Sequence, residues 1–340
     1  MLTFICTILV QMNVSLLEKM QQEGLISIDS FDKAKELEKN KLLSVHWELK
    51  TVLYLGITLL ATGLGILVYK NIDTIGHQFV LVFIAIICIA CFYYCFKHKL
   101  PFSAKRVLSP NVFFDYALLL GCLTLLIFIA YIQFEYNVFG SRYGLATFIP
   151  MLVLFFTTYY FDHLGILSLA ITNLAAWLGI TVTPLQLLKE NDFNSNTIII
   201  TGILLGILLN TIAFFSEKKD IKKHFAFTYL NFGMHILFVS TLAAMFNYDN
   251  ILILFFLLLL VIAFYFYKKA VGDKSFYILL ICSLYTYVGL SYVIVHLLFN
   301  VSSVGEGIFY LTGFYFIFSA AMLGIFLMNT NKKFKSDAGI

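Results

Sequence analysis

The chain has 340 residues, of which 61% are hydrophobic and 12% charged, with a formal net charge of +4. Soluble domains are roughly half apolar and a quarter charged, so this composition excludes an ordinary soluble domain and fits one large all-α, polytopic membrane bundle. The small positive charge does not support nucleic-acid binding, because the Lys and Arg residues are placed as determinants of membrane topology.

The opening Met1 to Val10 is apolar, lacks a basic region and a small-residue cleavage site, and is too short to span a bilayer. Met12 begins a conventional polar amphipathic segment, so residues 1–11 are expected to be a gene-model extension. Asn13 to Glu23 reads as a short helix with Leu16, Leu17 and Met20 on one side, ended by Gly24 at the position after the last helical residue. A second helix follows from Ser27 or Asp29 as N-cap, with Phe31, Ala34 and Leu37 along one face. Together they predict a helical hairpin within residues 1–48, too small to own a sufficient core. The hairpin is expected to dock through residues 13–44 on the membrane domain, on a second copy or on a protein partner.

Leu49 to Tyr69 carries one charge, Lys50, at its start, and its remaining apolar residues at 1.5 Å rise each match the roughly 30 Å hydrocarbon core of a bilayer. Nine more spans are predicted, near 79–96, 112–131, 143–161, 164–181, 198–215, 225–246, 251–267, 276–298 and 308–328, giving a membrane domain over 49–329 and a basic tail over 330–340. Of the 23 Lys and Arg residues, 20 fall in the N-terminal region, the loops after even-numbered spans and the tail. By the positive-inside rule both termini are expected in the cytoplasm of a bacterial cell, with the chain in its inner membrane. Asp162 and His163 are the weakest division; fusing the spans on either side would reverse everything downstream and destroy the charge bias.

Polar groups inside a span are functional candidates by default, because an unpaired one is expensive in hydrocarbon. Gly202, Gly206 and Asn210 form an i, i+4, i+8 stripe in span six, the pattern of close helix packing with Asn210 bonding across it. Gly56, Gly63 and Gly65, with Ala61, give span one a similar small-residue face. Asn231 and His235 share a face of span seven, and Asn173, Trp177 and Thr181 form a row in span five. Asn173, Trp177, Asn210, Asn231 and His235 are the candidates for a polar midplane cavity, with His235 suited to proton relay because it titrates near neutral pH; helix packing is the other reading. His296 and Glu306, across a short turn, are a candidate outer pair or an interfacial anchor. Asp115 lies shallow at the entrance of span three, and Pro150 should kink span four. Cys88, Cys91 and Cys95 share one helical face, as packing thiols or as a metal or redox site.

Known catalytic spacings are absent: there is no His-Glu-x-x-His, Gly-x-Ser-x-Gly or Gly-x-x-x-x-Gly-Lys. No catalytic residue, metal or cofactor is therefore expected. The pattern Leu17-Glu18-Lys19-Met20, Glu23-Gly24-Leu25-Ile26-Ser27, then Leu55-Gly56, Gly63-Leu64-Gly65 and Asn71-Ile72-Asp73, resembles a bacterial predicted membrane protein family called domain of unknown function 2157. Tyr160-Phe161-Asp162-His163, Leu167-Ser168-Leu169-Ala170 and Ala176-Trp177-Leu178-Gly179 are similar to a later segment of that family, so the resemblance covers Val14 to Gly179. It implies a cytoplasmic hairpin joined to an inner-membrane bundle and brings no activity. The sequence thus points to a non-enzymatic scaffold or sensor in contact with lipid and a protein partner, with a transporter or small-ligand binding bundle as the alternative.

Overall fold

The computed structural model describes residues 46–140, 143–182, 196–300 and 307–337. The chain divides into a large unit, Gly56–Thr330, and a small one comprising Met1–Leu55 and Asn331–Ile340. Of the small unit only 46–55 and 331–337 are described, so the hairpin expected over residues 13–44 lies outside the described residues.

The regular structure among the described residues is all helix, with no strand: α1 (His46–Ile75), α2 (His77–His98), α3 (Val112–Tyr136), α4 (Tyr143–Phe161), α5 (Leu164–Val182), α6 (Asn196–Lys219), α7 (Ala226–Asn247), α8 (Leu252–Gly272), α9 (Phe276–Asn300) and α10 (Gly307–Asp337). Hydrocarbon offers no partner for backbone N–H and C=O groups, and a helix can cross it because it satisfies its own. Eight helices are long and apolar enough to do so. In α1 and α5 the apolar stretch is shorter, Thr51–Ile66 and Leu164–Gly179. The chain is an integral membrane protein whose solvent is largely lipid. Accordingly, large apolar side chains such as Ile89, Ile253, Val261 and Ile317 lie exposed along its flanks.

Successive helices pack as hairpins, α2 with α3, α4 with α5, α6 with α7 and α8 with α9, and α7 also contacts α5, α8 and α9. Helices α4 and α5 stay separate because Asp162 takes a left-handed backbone (φ 60°) that ends α4. The His163 ring then starts α5 by accepting at Nδ1 from the Ile166 amide, at 3.2 Å. Helix α4 itself runs unbroken through the buried Pro150.

Between apolar helices in lipid the hydrophobic effect gives little association, so close van der Waals packing has to supply it. At α6–α7 a methyl built on Gly206 would lie 2.8 Å from Leu237 Cβ and 2.9 Å from its Cα and N, and one built on Gly202 would overlap Ser240. Helix α2 packs on α3 through thiols: Cys88 Sγ donates to the Gly121 carbonyl at 3.6 Å, and Cys95 Sγ approaches that of Phe114 at 4.0 Å. Leu118, Cys122, Leu154, Ile166 and Ala170, all at 0% exposure, form the core where α3, α4 and α5 meet.

Gly56, Gly63 and Gly65 of α1 differ, since a methyl on any of them meets nothing within 4 Å. We predict that Gly206→Ala lowers the unfolding midpoint in detergent, by the ~1–3 kcal/mol typical of overpacking. Gly56→Ala should leave the midpoint unchanged or slightly raised, because alanine is the better helix former by ~1 kcal/mol. Thermal unfolding of the two purified variants checks the contrast.

Candidate functional site

Four connections meet at one end of the bundle. Three of them, with the helix ends that flank them, carry the basic residues Lys97, Lys99, Lys105 and Arg106 (α2 to α3), Lys218, Lys219, Lys222 and Lys223 (α6 to α7), and Lys268, Lys269 and Lys274 (α8 to α9). At its centre is Asp162, in the α4–α5 turn. One of its oxygens accepts from the Val107 amide at 2.5 Å. The other accepts from His224 Nε2 at 2.6 Å and pairs with Lys222 Nζ at 3.1 Å. The Asp162 and Lys222 side chains are each only 2% exposed.

The chain around this carboxylate is shaped to deliver those donors. Lys222 has a left-handed backbone (φ 49°) and its amide donates to Ala104 O at 2.8 Å. Ser216, in the last turn of α6, donates to the carbonyls of Ile221 and Lys222 at 2.8 and 3.2 Å. At the residue after Asp162, His163 Nε2 lies 3.8 Å from Asp115 Oδ1, both side chains 6% exposed. Because His163 Nδ1 accepts from the Ile166 amide, the ring proton sits on Nε2, facing the carboxylate. Lys269 extends the network by pairing with Glu217 at 2.6 Å and Asp273 at 3.2 Å, which ties α8 to α6.

A buried ion pair offsets its desolvation only when its remaining hydrogen-bonding groups are satisfied, and at Asp162 they are. The cleft beside it holds about 10 Å³, room for about one water molecule at most. The cluster therefore joins chain to chain and leaves little space for a ligand.

A second polar system lies between α7 and α9. Tyr277 donates to Asn231 Oδ1 at 2.8 Å, and its oxygen lies 3.3 Å from His235 Nε2. His235 Nδ1 lies 2.8 Å from the Tyr285 hydroxyl. With the Tyr277 proton on Asn231, the consistent arrangement puts the imidazole proton on Nε2, donating to Tyr277, and has Nδ1 accept from Tyr285. The result is a continuous directed chain, Tyr285 to His235 to Tyr277 to Asn231. The Tyr285 ring is held by stacking on Phe238, with centroids 5.1 Å apart.

Asn231 and His235 are thus brought together, but the other candidates lie elsewhere. Asn210 points at Gly233, two residues from either and on the other side of α7; a methyl there would lie 2.7 Å from Asn210 Nδ2. That nitrogen donates to Gly206 O in its own helix at 2.8 Å. Trp177 packs on Phe148 of α4 with centroids 5.1 Å apart, and Asn173 lies one turn earlier in α5, its buried Oδ1 without a partner among the described residues. His296 stacks on Tyr292 at 5.9 Å, and Glu306 lies outside the described residues.

Sequence reasoning singled out Asp162 and His163 as a division between spans and as part of a family-like stretch, not as a site, and missed Lys222, His224, Tyr277 and Tyr285. A signal was present. Asp162-His163 is a polar pair in a connection too short to carry it into water, so the partners of Asp162 had to come from other loops.

The fold and these two networks define a polytopic helical membrane protein. Residues 18–167 match a family model described as predicted membrane protein, domain of unknown function 2157. No curated protein and no solved structure matches the chain.

Asp162→Asn keeps the shape of the side chain but leaves Lys222 buried without its counter-charge, a change that costs about 3–5 kcal/mol when a buried pair is broken. The expected outcome is a lower unfolding midpoint together with faster tryptic cleavage at Lys105 and Arg106, whose loop is tied to this carboxylate through Val107. Limited proteolysis followed by mass spectrometry of the fragments reads the second effect.

Proposed function

We propose that the chain is a non-enzymatic scaffold or sensor of the bacterial inner membrane, with both termini cytoplasmic and residues 13–44 as its protein-contact segment. The observation that carries the reading is the Asp162 cluster: the buried ionisable groups at the basic end are engaged in loop-to-loop bonds around a cleft of about 10 Å³. Orientation rests on the 20 of 23 Lys and Arg residues in the N-terminal region, the loops at this end and the tail. The protein-contact role rests on the amphipathic faces of Leu16, Leu17 and Met20, and of Phe31, Ala34 and Leu37.

The test is photo-crosslinking in cells from single positions in this segment, Leu17 and Phe31 among them. Discrete adducts to another polypeptide, or to a second copy of the chain, are the expected outcome. A uniform lack of adducts from every position would overturn the scaffold reading.

A second reading, a transporter or small-ligand binding bundle, is favoured by one observation, the Tyr285–His235–Tyr277–Asn231 chain between α7 and α9. A line of hydrogen bonds through a histidine is a path along which a proton can be passed. Under this reading His235→Ala leaves membrane insertion and folding intact while abolishing proton movement in proteoliposomes. Loss of the folded protein on this substitution would mark the histidine as structural.

A further inference from the structure

The glycines of helix α1 have open space around them, and between α1, α2 and α3 there is a cavity of about 460 Å³. Ala61, Leu64 and Gly65 of α1 line one side of it. Its volume falls within the ~300–1,000 Å³ of ligand pockets, and its shape is more specific than its size. Lining residues recur along α3 from Leu120 to Glu135, a length of about 22 Å at 1.5 Å per residue. That exceeds the depth of one leaflet, about half of a ~30 Å hydrocarbon core. A compact ligand does not fill such a slot, whereas one extended hydrocarbon chain does.

The walls are apolar except at one end. Thr124 presents only its methyl, since its hydroxyl bonds back to Leu120 O and Gly121 O at 2.8 and 3.0 Å. At the mouth His77, the first residue of α2, meets Tyr131 and Glu135 in the last two turns of α3. His77 Nδ1 lies 2.7 Å from the Tyr131 hydroxyl and Nε2 lies 3.4 Å from Glu135 Oε1. With Tyr131 donating to Nδ1, both imidazole nitrogens are engaged. The second carboxylate oxygen of Glu135, a side chain 30% exposed, is engaged by none of the described residues. An anionic headgroup is repelled there, whereas an ammonium is matched by charge and by hydrogen-bond donors.

We propose that this cavity is a lipid site, taking one acyl chain of an amine-bearing phospholipid along α3 with the headgroup ammonium on Glu135. The site is separate from both polar networks described above and stands whether the chain is a scaffold or a transporter.

The test is native mass spectrometry of the full chain, purified in detergent, delipidated and titrated in parallel with phosphatidylethanolamine and phosphatidylglycerol. Wild type is expected to prefer phosphatidylethanolamine by about tenfold, the ratio that one charge-assisted hydrogen bond supplies. Glu135→Gln should abolish the preference by weakening the amine lipid and relieving the repulsion of the anionic one. Gly65→Phe, which projects a ring into the slot from a position with open space around it, should weaken both lipids. Equal binding of the two lipids by wild type, or a preference that survives Glu135→Gln, overturns the proposal. Should Gly65→Phe fail to fold, Glu135→Gln decides alone.

Discussion

A single carboxylate holds the basic end of this bundle together. Asp162 belongs to the α4–α5 turn, yet its partners come from the α2–α3 connection, through the Val107 amide, and from the α6–α7 connection, through Lys222 and His224. A charge 2% exposed is tolerable only when it is fully paired, so three connections must arrive together or not at all. That all-or-none condition sets the ends of six helices and, with the Lys269–Glu217 pair, brings in α8.

The helices between those ends are joined by a different physics. Lipid tails are as apolar as leucine, so burial provides little drive and contact geometry decides. The chain uses small residues where two backbones must touch, as at Gly206 against Leu237 and Gly233 against Asn210, and thiols bonded to carbonyls where α2 meets α3. On α1, where Gly65 faces no neighbour, a cavity opens instead. The same residue type therefore has opposite consequences on α6 and on α1, and the difference lies in what stands opposite.

Polar side chains within the bundle form separate local systems. The Tyr285–His235–Tyr277–Asn231 chain is confined to α7 and α9, Asn210 bonds to its own helix against Gly233, and the His77–Tyr131–Glu135 group closes the opposite end from Asp162. Such segregation fits a medium in which each polar group must find its partner nearby. It also separates the elements a lipid can reach from those that lock the connections.

Ten helices, their approximate limits and the alternation of basic and non-basic connections were legible in the residues alone. Bilayer thickness imposes a length, and hydrocarbon imposes an apolar composition, on every span independently of its neighbours. The stripe of Gly202, Gly206 and Asn210 was legible as well, because helical periodicity is a local property. Partners were not. His235 was visible as a polar residue, but Tyr277 and Tyr285 are 42 and 50 residues away. Nothing local told an interfacial tyrosine from a bonded one. Asp162 read as a break between spans, and its role came only from where residues 107, 222 and 224 arrive. The sequence by itself determined which segments are apolar helices, eight of them long enough to cross a bilayer, because that follows from the composition of each segment alone. Only the tertiary structure decided which charges meet and where a cavity opens, because those depend on distances between segments far apart in the chain.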